Sequence, residues 1–205
     1  MKKLIPFFAA CLALVLSSYV KPIAGYQVGD KAMDFKLKNV DGKMVSMADN
    51  KAVKGYIVVF TCNTCPVAKA YESRIIALHQ QYAPKGYPVL AINPNDPGVS
   101  PGDSYEQMKT LASNKKYPFP YLFDASQEVA KTYGATRTPH LYVVTRQPAG
   151  DFKVAYIGAI DDNSEDASAA KKKYAEEALN EIIAGKAAST GSTKAIGCTI
   201  KWRRA

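Results

Sequence analysis

Apolar residues recur along this chain with two periods. Tyr56-Ile57-Val58-Val59-Phe60 is an unbroken apolar, β-rich run, the pattern of a strand buried on both faces. After it, Val67, Tyr71, Ile75, Leu78 and Tyr82 recur at spacings of 4, 4, 3 and 4. They form one face of a helix that Gly86 ends. Val89-Leu90-Ala91-Ile92 is a second buried run, set parallel to the first by the intervening helix. Upstream, Phe35-Lys36-Leu37-Lys38 alternates apolar with charged, Asp41-Gly42 turns, and Lys43-Met44-Val45-Ser46 returns as a second strand.

The second half continues the alternation. A Pro- and Gly-rich loop from Asn93 to Asp103 precedes Ser104-Tyr105-Glu106-Gln107, which has capping-box spacing, and the stripe Met108, Leu111, Ala112. Tyr121-Leu122-Phe123 reads as a short strand, followed by a short helix ending at Gly134. Leu141–Val144 and Phe152–Tyr156 flank a Pro148–Gly150 turn as a hairpin, and a last helix runs from Tyr174 to Ala184. This order predicts an α/β domain with a central mixed sheet and helices on both faces. One domain is expected over 25–185, after a leader of residues 1–24 and before a tail of 186–205 that carries Cys198.

The leader changes the reading of charge. Lys plus Arg is 27 against 18 acidic residues, a formal +9, yet Lys2, Lys3 and Lys21 all precede Gly25. The other basic residues are scattered, apart from Lys171-Lys172-Lys173 and Lys201, Arg203, Arg204. They read as solvated surface, so no nucleic-acid partner is expected. Lys2-Lys3 followed by the 13-residue apolar run Leu4–Leu16 is short against the roughly 20 residues of a membrane-spanning helix. It predicts a secretory signal, cut between Ser18 and Gly25, and a periplasmic or secreted product that touches the membrane only if the signal is retained. Hydrophobic residues at 47% and charged ones at 22% exclude disorder and a multi-span membrane protein.

The chemistry-bearing motif is Cys62-Asn63-Thr64-Cys65-Pro66, between the buried strand and the periodic helix. A C-x-x-C pair is shared by zinc, cluster and haem-attachment sites. Haem attachment wants His after the second Cys, where Pro66 stands. A four-ligand zinc site wants a second pair, and Cys198, His79 and His140 are what remains outside the leader, which holds Cys11. A thiol at a helix N-terminus faces unpaired amides and the positive dipole end, which favour thiolate. On this reading Cys62 is the nucleophile at an exposed tip, its pKa lowered, and Cys65 the resolving thiol.

Taken together, several segments resemble the thioredoxin fold, and within it the redoxin (alkyl hydroperoxide reductase/thiol-specific antioxidant-like) branch. They are Val28-Gly29-Asp30-Lys31-Ala32-Met33-Asp34-Phe35, Phe60-Thr61-Cys62-Asn63-Thr64-Cys65-Pro66, Ala91–Asp96, Tyr117–Leu122, Tyr133-Gly134-Ala135 with Thr138-Pro139, Gly158 with Asp161-Asp162, and Gly197–Trp202. The resemblance implies a thioredoxin-like three-layer fold with an N-terminal β-hairpin extension. It also implies thiol chemistry at Cys62 and Cys65, and a cis peptide at Thr138-Pro139 whose backbone edge receives a substrate chain. The peroxidatic P-x-x-x-[ST]-x-x-C pattern is not met: Gly55 and Val59 stand at its positions counted from Cys62, and Val58 and Cys62 counted from Cys65. Thr61 replaces the Trp usual before the first Cys of thioredoxins, and Tyr56 replaces their buried acid.

The expected function is an extracytoplasmic thiol–disulfide oxidoreductase, with weak peroxide reduction as a variant. Its partners are a disulfide-bearing protein or small thiol and an electron-donating thiol reductase, and no cofactor is expected. A copper or zinc carrier using Cys62, Cys65 and either His140 or Cys198 is the alternative, since soft thiolates suit Cu(I). Cys198 is either a further resolving or metal-binding thiol or a tail residue tucked against the domain. His140 is either a modest tuner of the dithiol or a metal ligand, or else a hydrogen-bonded histidine beginning a strand, and His79 is structural or exposed. Asp161–Asp166 lacks the Gly and Glu of a calcium loop.

Overall fold

The computed structural model describes residues 25–204; the leader, with Cys11 and the expected cleavage region, lies outside them. In chain order the strands and helices are β1 (Lys31–Ala32), β2 (Lys36–Asn39), β3 (Met44–Ser46), β4 (Gly55–Phe60), α1 (Pro66–Tyr82), β5 (Val89–Asn93) and α2 (Tyr105–Lys115). They continue with β6 (Tyr121–Phe123), α3 (Glu128–Tyr133), β7 (Arg137–Thr138), β8 (His140–Arg146), β9 (Phe152–Gly158), α4 (Tyr174–Ile183) and β10 (Cys198–Thr199). Eight strands form one mixed sheet in the order β1-β9-β8-β4-β5-β6-β2-β3. β4 runs parallel to β5 and antiparallel to β8 at its centre. This is the thioredoxin-like architecture, with the β2–β3 hairpin added at one edge.

All six residues of β4 are buried, and their alternation divides the core into two layers. Ile57 and Val59 face Tyr71, Ile75, Leu78 and Tyr82 of α1 and Leu179 of α4. Val58 and Phe60 face Val129, Ala130 and Tyr133 of α3. A strand covered on both sides has to be apolar at consecutive positions, as read from the sequence. Two local expectations are revised. Ala68 takes the inward position on α1 while Val67 is half-buried. The reciprocal capping box sits at Ser46 and Asp49: Ser46 Oγ accepts from the Ala48 amide at 3.0 Å, and the Ser46 amide donates to Asp49 Oδ2 at 2.9 Å. At α2, Ser104 Oγ accepts from the Gln107 amide at 3.4 Å.

Three short strands had no counterpart in the sequence reading. β1 closes the sheet edge on β9. β7 and β10 form a separate two-stranded ladder in which Cys198 lies opposite Thr138. The tail therefore returns across the domain. The Thr193 amide donates to the Ile157 carbonyl at 2.9 Å, its hydroxyl lies 2.7 Å from that of Tyr156, and Ile200 is 3% exposed. No helix of the described residues is long and apolar enough to cross a membrane.

Candidate active site

Pro66 sets the position of the site. It lacks an N–H and has φ preset for a helix, so it occupies the first position of α1 and makes Cys65 the N-cap. Cys65 Sγ accepts from the Ala68 amide at 3.4 Å and lies 3.3 Å from the Thr138 carbonyl oxygen. Cys62 stands three residues earlier, in the loop after β4, with its Sγ 3.2 Å from the Thr138 hydroxyl. The two sulfurs thus contact one residue, Thr138, one through its side chain and the other through its backbone.

The pairing differs from the expected one. Cys65 is bonded to Cys198, across a Cα–Cα distance of 6.0 Å, and Cys62 is the free thiol. Cys62 and Cys65 are 5% and 4% exposed, whereas Cys198 is partly exposed and packs against both. Cys62 is therefore not at an exposed tip, and its pKa moves opposite to expectation. Burial pushes the thiol above its ordinary value, the Thr138 hydroxyl draws it back in part, and the charge of Asp103 raises it further. The Ala68 amide of the first turn of α1 is directed at Cys65, and the backbone amides of Thr64 and Cys65 that favour the Cys62 thiolate do not outweigh its burial.

Thr138-Pro139 is a cis peptide. The backbone edge beside it, expected to receive a substrate chain, is taken by the protein's own β10. Arg137 donates to the Gly197 carbonyl at 2.8 Å, and the Ile200 amide donates to the Thr136 carbonyl at 3.2 Å. A Cβ on Gly197 would collide with the Thr138 carbonyl group, so close approach of the two backbones requires glycine there. Thr61 shares with Cys62 a narrow cleft bordered by Glu72, Ile75, Tyr117 and Phe119.

His140 is 8% exposed, and burial lowers its pKa to about 4. It is a neutral core imidazole whose Nδ1 lies 3.5 Å from the Tyr142 hydroxyl, not a charged tuner of the thiols. His79 accepts the Val89 amide at 3.2 Å. Asp161, read against a calcium loop, is bound by Arg74 at 2.6 Å and by the Tyr71 hydroxyl at 2.7 Å. Among the described residues no three His, Cys, Asp or Glu side chains converge as a metal site.

One residue of the site escaped the sequence reading. Asp103, fully buried, accepts five hydrogen bonds, from the Asn63 amide (2.6 Å), Thr64 Oγ1 (2.7 Å), Ser100 Oγ (2.6 Å), Asn95 Nδ2 (2.9 Å) and Asn93 Nδ2 (3.2 Å). Burial alone would raise its pKa, but the donors from Ser100, Asn95, Thr64 and Asn63 outweigh it and hold the carboxyl ionised. Asn63 is fixed from two further directions, donating to the Gly102 carbonyl at 2.8 Å and accepting from Tyr121 at 2.8 Å. The stretch from Asn93 to Asp103 reads in the sequence as a Pro- and Gly-rich loop, and nothing local marks it as wrapped around the cysteine segment.

A buried cysteine capping the first sheet-flanking helix beside a cis-proline strand end defines the protein class as a thioredoxin-like oxidoreductase. The AhpC/TSA family matches residues 28–174, and the chain belongs to that family. It is similar to the structure of an uncharacterized conserved protein from Geobacillus kaustophilus, with 36% identity and a TM-score of 0.80 over 89% of this chain and 95% of that one. It is 23% identical over 155 residues to the thiol-disulfide oxidoreductase ResA of Bacillus cereus, covering 71% of this chain and 85% of that protein. The peroxidoxin BcpB of Mycobacterium tuberculosis shares the fold, with 18% identity and a TM-score of 0.52 over 63% of this chain and 83% of that one.

Proposed function

We propose that the protein catalyses thiol–disulfide exchange with Cys65 as the central sulfur and Cys62 as the thiol that resolves it. The observation that carries this reading is the free Cys62 packed beside a disulfide of Cys65, both sulfurs in contact with Thr138. Cys62 thiolate attacks Cys65 Sγ, the Cys62–Cys65 bond forms, and the sulfur previously joined to Cys65 leaves as a thiolate. In the reverse direction an incoming thiolate attacks Cys65 Sγ and Cys62 leaves as the thiolate; where Cys65 is itself released, by attack on the sulfur bonded to it, the Ala68 amide at the start of α1 stabilises its charge.

The substrate class is a disulfide-bearing protein or a small disulfide, and a thiol reductase resets the pair. Resemblance to ResA supports this class. Peroxide reduction is not favoured, because Val58 and Cys62 stand where the peroxidatic motif places Pro and Thr before Cys65. Lys2-Lys3 and the apolar run after them support export, where disulfides persist. Cys65→Ser is expected to abolish insulin-disulfide reduction and Cys62→Ser to arrest the enzyme with Cys65 still cross-linked. Wild-type turnover by Cys65→Ser would refute the mechanism. N-terminal sequencing of the exported protein, with a start between Ser18 and Gly25, tests the location.

A further inference from the structure

Cys198 differs from the other two cysteines in being partly exposed. Cys62 and Cys65 are almost fully buried, while Cys198 is partly exposed at the strand β10. Contacts besides the disulfide hold its strand in place. The Lys201 amide donates to Asn95 Oδ1 at 2.9 Å, the Asp96 amide and Gln127 Nε2 each donate to the Lys201 carbonyl at 2.9 Å, and Arg203 pairs with Asp96 at 2.5 Å. Asn95 is the same residue that donates to Asp103, which in turn holds the Asn63 amide. A continuous polar path therefore ties the tail to the cysteine loop and holds Cys198 beside Cys65 by contacts other than their bond.

From this geometry we propose that Cys198 is the port of a three-cysteine relay: the disulfide moves between Cys62–Cys65 and Cys65–Cys198, and an external thiol meets it at Cys198. The proposal rests on the thiol–disulfide reading above. In the inward step, Cys62 thiolate attacks Cys65 Sγ, Cys65–Cys198 breaks, and Cys198 leaves as a thiolate that takes up the proton Cys62 gave away. The number of disulfides is unchanged, so no oxidant is needed. In the outward step Cys198 thiolate attacks Cys65 and regenerates Cys65–Cys198, with Cys62 leaving. An external thiolate then attacks Cys198 Sγ, forming a mixed disulfide there and releasing Cys65 as thiolate. A second external thiol removes the first as its own disulfide, so two thiols are oxidised and the protein gains two electrons.

Because β10 fills the edge of Arg137–Thr138, the relay also explains how a protein with no free edge there exchanges with partners outside. Acid quenching, alkylation and peptide mapping of the oxidised full-length protein test the internal step. Both linkages are expected; Cys65–Cys198 alone at every pH and time overturns it. Glutathione added to the same protein tests the port. Its first adduct is expected on the Cys198 peptide, and a first adduct on Cys62 or Cys65 overturns the assignment. Cys198→Ser is expected to hold Cys62–Cys65 alone and to lose its reduction by glutathione, whereas reduction at the wild-type rate refutes the port. Should that variant misdock its tail, the two wild-type mappings decide. Neither mapping needs a substrate, so internal exchange without insulin reduction would sink the enzymatic reading while supporting the relay.

Discussion

The carboxylate of Asp103 receives the backbone amide of Asn63 at 2.6 Å, so the residue following Cys62 is fixed by an acid 40 positions downstream. Asp103→Ala would leave that amide and the side chains of Asn93 and Asn95 without their acceptor in a buried site. We expect a loss of about 2–4 kcal/mol in chemical denaturation, with faster alkylation of Cys62 as its loop loosens. An unchanged midpoint and an unchanged alkylation rate would show that the carboxylate does not organise the loop.

The raised pKa of Cys62 sets a pH dependence with a definite sign. Burial, the leading cause, favours the neutral thiol in the folded protein. Alkylation of Cys62 at neutral pH should therefore be slower than that of an unperturbed cysteine, rising about tenfold per pH unit until the raised value is passed. The stabilisation that comes from keeping the thiol neutral is full below the unfolded pKa and is lost as pH rises through the folded one. An alkylation profile with its inflection below the ordinary cysteine range would contradict this.

His140 works in the opposite direction. Its folded pKa of about 4 lies below its ordinary 6.5 because burial disfavours the imidazolium. Its contribution is complete above the unfolded value and disappears as pH falls toward 4, a span worth about 3 kcal/mol. Urea unfolding between neutral pH and pH 4 should show this loss, and His140→Phe should flatten it. A variant with the same acid slope as wild type would place the sensitivity elsewhere.

Gly197 tests the contact between the tail and the cis-proline segment. A methyl group there meets the Thr138 carbonyl group, so Gly197→Ala must displace Gly197 from β7 or push β7 aside, at about 1–3 kcal/mol. Non-reducing peptide mapping should then show less Cys65–Cys198 linkage and more free Cys198. Retention of the wild-type linkage would mean that the two backbones can separate without moving the sulfurs.

The class of fold was legible because period and burial agree along the chain. Tyr56–Phe60 and Val89–Ile92 are continuous apolar runs since both faces of those strands are covered, and the α1 stripe follows from one helix face packing on the sheet. The strands β7 and β10 were not legible. Each is two residues long, too short to carry a period, and their pairing joins Cys198 to Thr138 and Thr199 to Arg137, far apart in the chain. The pairing and burial of the cysteines were not legible for a related reason: spacing places two thiols near a helix start but does not say which one caps it.

The sequence alone determined the α/β order, the strand-to-helix site of Cys62 and Cys65, and the absence of a peroxidatic motif around them, because these depend on neighbours within a few residues. Tertiary structure alone decided that Cys65 caps the helix and joins Cys198, that Cys62 is buried and kept protonated, and that Asp103 gathers the loop. Those outcomes depend on which distant groups exclude water from a sulfur or supply donors to a carboxylate, and solvent exclusion is a property of the packed chain rather than of any segment of it.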